Sequence, residues 1–76
     1  MNELVGLVAG VLELPPGAVD DDTGAATEAA WSSLRHVEIV VAVQRAYRVH
    51  LTPREARSCR SVGALCEVLT EKGIAA

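Results

Sequence analysis

The sequence predicts an all-α four-helix bundle with a short third helix and a long loop between helices one and two. Three observations carry that prediction. Apolar residues recur at helical spacing in separate stretches. Capping Ser and Thr residues or Pro and Gly punctuate those stretches. Half of the residues are apolar, yet there is no Phe, one Tyr and one Trp, so Val, Leu and Ala must fill the core by interdigitating between helices.

Leu4, Leu7, Val8, Val11 and Leu12 lie at helical spacing and set the first helix at 2–13, with Asn2 as N-cap and Pro15-Pro16-Gly17 as the stop. The connection from Leu14 to Ser32 is long for a compact domain, and loops of that length are functional or disordered. It holds the acidic, turn-rich run Asp20-Asp21-Asp22-Thr23-Gly24, followed by alanines suited to one short helical turn.

The second helix spans 33–47 and bears two apolar stripes. Ile39, Val40, Val43 and Tyr47 suit the core; Leu34, Val37 and Val41 are displaced around the axis. One helix in a small bundle does not bury both, so the second stripe either contacts a partner or covers the long loop. After the extended Val49-His50-Leu51, Thr52 caps a short third helix that starts with Pro53 and runs through Arg57. Ser61 caps the fourth, 62–72, which turns Val62, Leu65, Cys66 and Leu69 inward and ends at Gly73.

At 76 residues the chain reads as a single domain, 1–76. A chain of this size buries only about 60% of its unfolded surface, which argues against a deep substrate cavity. A membrane span needs roughly 20 apolar residues in a row, and the longest candidate, Leu4 to Leu12, is short and carries two glycines. Glu3 stands where a signal peptide would be basic, so a cytoplasmic protein is expected. Cys59 and Cys66 lack partners at metal-ligand spacing and read as reduced core residues.

Charge is unevenly spread. Residues 1–34 carry six acids and no Lys or Arg; residues 35–60 carry six Arg against Glu38 and Glu55. No aromatic interleaving or nucleic-acid motif accompanies the arginines, so they read as a solvated face for a protein partner. The expectation is a monomer with no nucleic-acid or membrane ligand.

Trp31-Ser32-Ser33-Leu34 opens the second helix, and Val37-Glu38-Ile39-Val40 follows it. With Asp22-Thr23 upstream and Tyr47, Leu51, Glu55-Ala56 and Ser61-Val62-Gly63 downstream, the chain resembles the acyl carrier protein family over nearly its whole length. The family's hallmark is Asp-Ser-Leu at the start of that helix. The resemblance implies that Ser33 receives phosphopantetheine from coenzyme A through a separate, magnesium-using phosphopantetheinyl transferase. The arm's thiol would then hold an acyl cargo as a thioester. A helix N-terminus suits an anionic phosphodiester, and Arg35 and His36 are expected to add positive charge beside it. Apart from the resemblance, Ser33 reads as a plain N-cap.

His36 lies three residues after Ser33, at dyad spacing. A hydrolase is not expected, because an exposed helix start on a small bundle offers neither oxyanion hole nor pocket. The expected role is a carrier without catalysis of its own.

The sequence departs from the family pattern in three ways. Ser32 replaces the usual Asp and Ala30 the usual Gly, which puts two hydroxyls side by side; Leu34 sets the register on Ser33. Ala25 and Ala29 stand where larger apolar residues are usual, so the loop is expected to be poorly anchored and Trp31 to fold inward. The second helix, acidic in the family, here carries Arg35, His36, Gln44, Arg45 and Arg48 with Glu38 as its lone acid. The expected partner-binding residues are Leu34, Arg35, Val37, Glu38, Val41, Arg45 and Arg48, facing acidic or apolar surfaces on acyl-loading, condensing or tailoring enzymes.

A Met start and an end soon after the last helix suggest a discrete carrier acting in trans. Few Lys and many Arg, Ala, Val and Gly suggest a GC-rich bacterial coding sequence, and with the unusual docking face point to polyketide or related biosynthesis. Two alternatives remain: a peptidyl or aminoacyl carrier sharing Ser33, and an unmodified helical adaptor.

Overall fold

A computed structural model describes residues 3–74 and contains four α-helices among them: α1 Glu3–Leu12, α2 Ser33–Tyr47, α3 Pro53–Ser58 and α4 Val62–Glu71. Asn2, the expected cap of α1, lies outside the described residues. The expected helices are all present, with α1 and α4 each shorter than predicted by a residue at an end that is described.

Three helices end in the same way, and only one of the endings is announced by a glycine. Glu13, Arg48 and Gly73 take left-handed φ values of 59°, 54° and 83°. The next amide in each case, from Leu14, Val49 and Ile74, donates back to the carbonyl five residues earlier, on Ala9, Gln44 and Leu69. Leu14, Val49 and Ile74 each pack against the core, which supplies the apolar contact that accompanies such a cap.

The core lies between α1, α2 and α4. Leu4, Val8, Ile39, Val43, Val62, Leu65 and Leu69 are buried in it, and α1 packs on both α2 and α4. Tyr47 lies at the edge of this core, where burial first, and then Glu3 and Cys66, raise its phenol above the ordinary range. Cys59 is buried, Cys66 half-buried, and both are free thiols. Burial raises the Cys59 thiol above its usual range.

The connection between α1 and α2 starts with a 3₁₀ turn at Pro16–Ala18. The alanine segment makes the expected single turn, with the Thr27 and Glu28 amides both donating to Gly24 O. The loop is not poorly anchored, contrary to expectation. Its hold comes from backbone: Ala25 N–H donates to Arg60 O, Val62 N–H to Thr23 O and Gly63 N–H to Asp21 O, each at 2.9 Å. Those bonds lash the loop to the entry of α4 and do not depend on large side chains at Ala25 or Ala29. Gly24 makes the approach possible, because a Cβ there would sit 2.3 Å from Arg60 O. Thr23 is buried, and its hydroxyl accepts from Asp20 N–H and donates to the Asp20 carboxylate, folding the acidic run onto itself.

α3 is short, and its first turn is tied twice. Thr52 and Glu55 form a capping box, each side chain accepting from the other's amide. Glu55 also meets Lys72, just beyond α4, at 2.9 Å.

Candidate carrier site

Ser32 and Ser33 do different work. Ser32 is the N-cap of α2, its hydroxyl accepting from Arg35 N–H at 3.2 Å, while its carbonyl accepts from His36 N–H at 2.8 Å. Ser33 is the first helical residue. It is exposed, and its hydroxyl has no hydrogen-bond partner among the described residues. The amides of Ser33 and Leu34 also have no partner there. The capping role considered for Ser33 thus falls to Ser32, and the free hydroxyl stands at the positive end of a 15-residue helix.

Arg35 does not stand over that hydroxyl as a free charge. Its guanidinium donates to Val11 O at 3.2 Å and pairs with Glu38 at 3.0 Å and Glu13 at 3.3 Å, binding α2 to the end of α1.

His36 differs more from its expected role. Its Nδ1 accepts from Trp31 Nε1–H at 3.1 Å, and its Nε2 lies 2.8 Å from Ala56 O on α3. An indole N–H only donates and a carbonyl only accepts, so Nδ1 carries no proton and Nε2 does. The ring is neutral in this arrangement and adds no positive charge beside Ser33. Both nitrogens are committed, so the ring is not poised as a base for Ser33.

Trp31 folds inward as expected and is only 3% exposed. Gln44, counted with the exposed polar face, is half-buried and accepts from Leu51 N–H at 2.8 Å. The basic face of α2 therefore narrows to exposed Arg45 and Arg48 beside the paired Arg35.

The second stripe does not cover the loop. Leu34 is 68% exposed, Val37 58% and Val41 41%. Val37 and Val41 form a ridge between two grooves. One, of about 770 Å³, runs along α1 over Val11, Ala42 and Ala46, with Glu13, Glu38, Arg35 and Arg45 among its charged lining. The other, of about 280 Å³, lies against α3 between Val40, Ala56, His36 and Arg57. No group of three or more possible ligands forms a metal site among the described residues. No helix among them is long and apolar enough to cross a membrane.

A family model described as phosphopantetheine attachment site matches residues 2–69, most of the 76-residue chain. The chain belongs to this family. It is a carrier protein of the acyl carrier kind, and its prosthetic group is covalently bound phosphopantetheine. No curated protein matches the carrier. The residues present fit such a group: a free primary hydroxyl, unpaired amides beside it for a phosphodiester, and apolar side chains along the same helix face. Carriers of this family work with a phosphopantetheinyl transferase and with partner enzymes.

Proposed function

We propose that Ser33 is the attachment residue and that the protein carries acyl intermediates for partner enzymes of polyketide or related biosynthesis. The observation that carries this reading is the uncommitted, exposed Ser33 hydroxyl at the start of α2, next to a Ser32 hydroxyl already engaged as a cap. When bound, the group supplies a terminal thiol that holds cargo as a thioester. The chain itself presents the hydroxyl, offers its first-turn amides to the phosphodiester, and displays an apolar ridge to whatever docks.

The carrier acts as one domain, cytoplasmic and monomeric, without catalysis of its own. The commitment of both His36 nitrogens supports the last point, and free Cys59 and Cys66 accord with a reducing compartment. Partner enzymes engage Leu34, Val37 and Val41, with Arg45 and Arg48 setting a preference for acidic docking surfaces. Arg35 and Glu38, paired with each other, lie on the flank of that contact.

Reversing both charges in Arg45→Glu/Arg48→Glu lowers kcat/KM for loading by the native partner about tenfold, roughly 1.4 kcal/mol. Improved loading by the double variant would refute the docking assignment. Competition between an acyl donor with its acyltransferase and an amino acid with its adenylating enzyme separates the polyketide reading from a peptidyl carrier. Preferential aminoacylation would overturn the former.

A further inference from the structure

The Trp31–His36–Ala56 chain of hydrogen bonds brackets the attachment turn, and nothing in the carrier function requires it. Trp31 precedes Ser33 by two residues and ends the long loop; His36 lies in the first turn of α2; Ala56 belongs to α3. A single half-buried imidazole thereby joins three segments that, apart from the Ser32 cap on Arg35, share no other described side-chain hydrogen bond, with its ring centroid 6.2 Å from that of Trp31.

The geometry points to His36 as a pH-sensitive latch that positions the Ser33 turn. Neutral imidazole offers one acceptor and one donor, which is what an indole N–H and a carbonyl require. Imidazolium offers two donors. Protonation keeps the bond to Ala56 O but sets Nδ1–H against Trp31 Nε1–H, and the Trp31 end of the latch opens. Histidine is the side chain whose charge ordinarily changes within the roughly pH 5 to 8 range.

The carboxylates on the elements packed around the ring are engaged elsewhere. From α3, Arg57 lines the same groove as His36, and Glu55 is turned to Thr52 and Lys72. On α2, Arg35 is held by Glu13 and Glu38. On the loop, the Glu28 carboxylate accepts from Ala30 N–H. No carboxylate among the described residues is hydrogen-bonded to the ring. Release of Trp31 loosens the segment that enters Ser32, and with it the placement of the Ser33 hydroxyl.

The functional half of this inference rests on Ser33 as the attachment residue, whereas the latch itself does not. Trp31 is the sole tryptophan, so its fluorescence reports the latch directly. Lowering the pH from about 8 to about 5 shifts the emission of the wild type towards the red and quenches it. His36→Gln, whose amide also offers one acceptor and one donor, keeps its emission constant over that range. His36→Ala shows the released emission at every pH.

With coenzyme A and a broad-specificity transferase, His36→Ala loses kcat/KM on the order of tenfold or more at unchanged helix content, and His36→Gln recovers most of it. A flat wild-type emission, or the same pH response in His36→Gln, overturns the latch. An intact fluorescence response with equal modification of all three proteins overturns only the link to Ser33.

Discussion

Ser32 and Ser33 carry the same side chain one residue apart, and backbone geometry divides their duties. The Ser32 hydroxyl faces the Arg35 amide and closes the end of α2; the Ser33 hydroxyl faces solvent. The division predicts opposite phenotypes. Ser32→Ala removes a cap and costs about 1 kcal/mol in urea denaturation, while Ser33→Ala changes stability by less than about 0.5 kcal/mol. Equal destabilisation by the two changes would contradict the assignment of the cap. At this scale the sequence was only partly legible. Helical register places Trp31 and His36 five residues apart across a helix start, and nothing in that spacing says that the imidazole turns inward to meet an indole and an α3 carbonyl. The charge expected from His36 was therefore misplaced, because the ring's partners come from two other segments.

Among the elements, α2 and α3 were the most legible, since Ser, Thr and Pro act within one turn of where they stand. α3 begins where its Thr52 cap predicts, and α2 begins at Ser33 as expected although its cap is Ser32 and not Ser33. The course of the long loop was hidden, because main-chain bonds to Arg60, Val62 and Gly63 hold it and any sequence can make such bonds. The one local signal was Gly24, which sits against the Arg60 carbonyl. Gly24→Ala forces that strap apart and destabilises the fold by about 1–3 kcal/mol, read as a lowered urea midpoint; an unchanged midpoint would mean that the strap is dispensable.

Glu55 gives α3 a pH signature. Its carboxyl is held below the usual range, first by the Thr52 amide and then by Lys72. A depressed folded-state pKa contributes stability that is present above the unfolded-state value and lost as pH falls through the folded one. Thermal melts from neutral pH down through the carboxylate range therefore show a loss in the wild type that is smaller in Glu55→Gln. A parallel decline in both proteins would place the acid sensitivity elsewhere.

For the molecule as a whole, the proposed docking draws on charge asymmetry and the exposed ridge together. The chain has a net charge of −3, with acids gathered in the first half and arginines in the second. Arg45 stands exposed on the helix that also displays Leu34, Val37 and Val41, and exposed Arg48 follows its last residue. Screening weakens exposed charge pairs beyond about 10 Å at 0.1 M salt, so the association rate with the native partner falls as salt rises, while the apolar contact keeps dissociation nearly constant. Stopped-flow binding at low and high ionic strength checks this, and a salt-independent association rate would remove the arginines from the encounter. The exposure of the second stripe was foreseeable only as one of two outcomes, since periodicity says that a helix has two apolar faces and not which neighbour arrives to cover them.

The central claim is that the phosphopantetheine arm is attached at Ser33. Intact mass spectrometry of the wild type, Ser32→Ala and Ser33→Ala after incubation with coenzyme A and a broad-specificity transferase tests it most directly. One phosphopantetheine increment on the wild type and on Ser32→Ala, with none on Ser33→Ala, is the predicted result. An increment that persists in Ser33→Ala, or no increment on the wild type with several transferases, would contradict it.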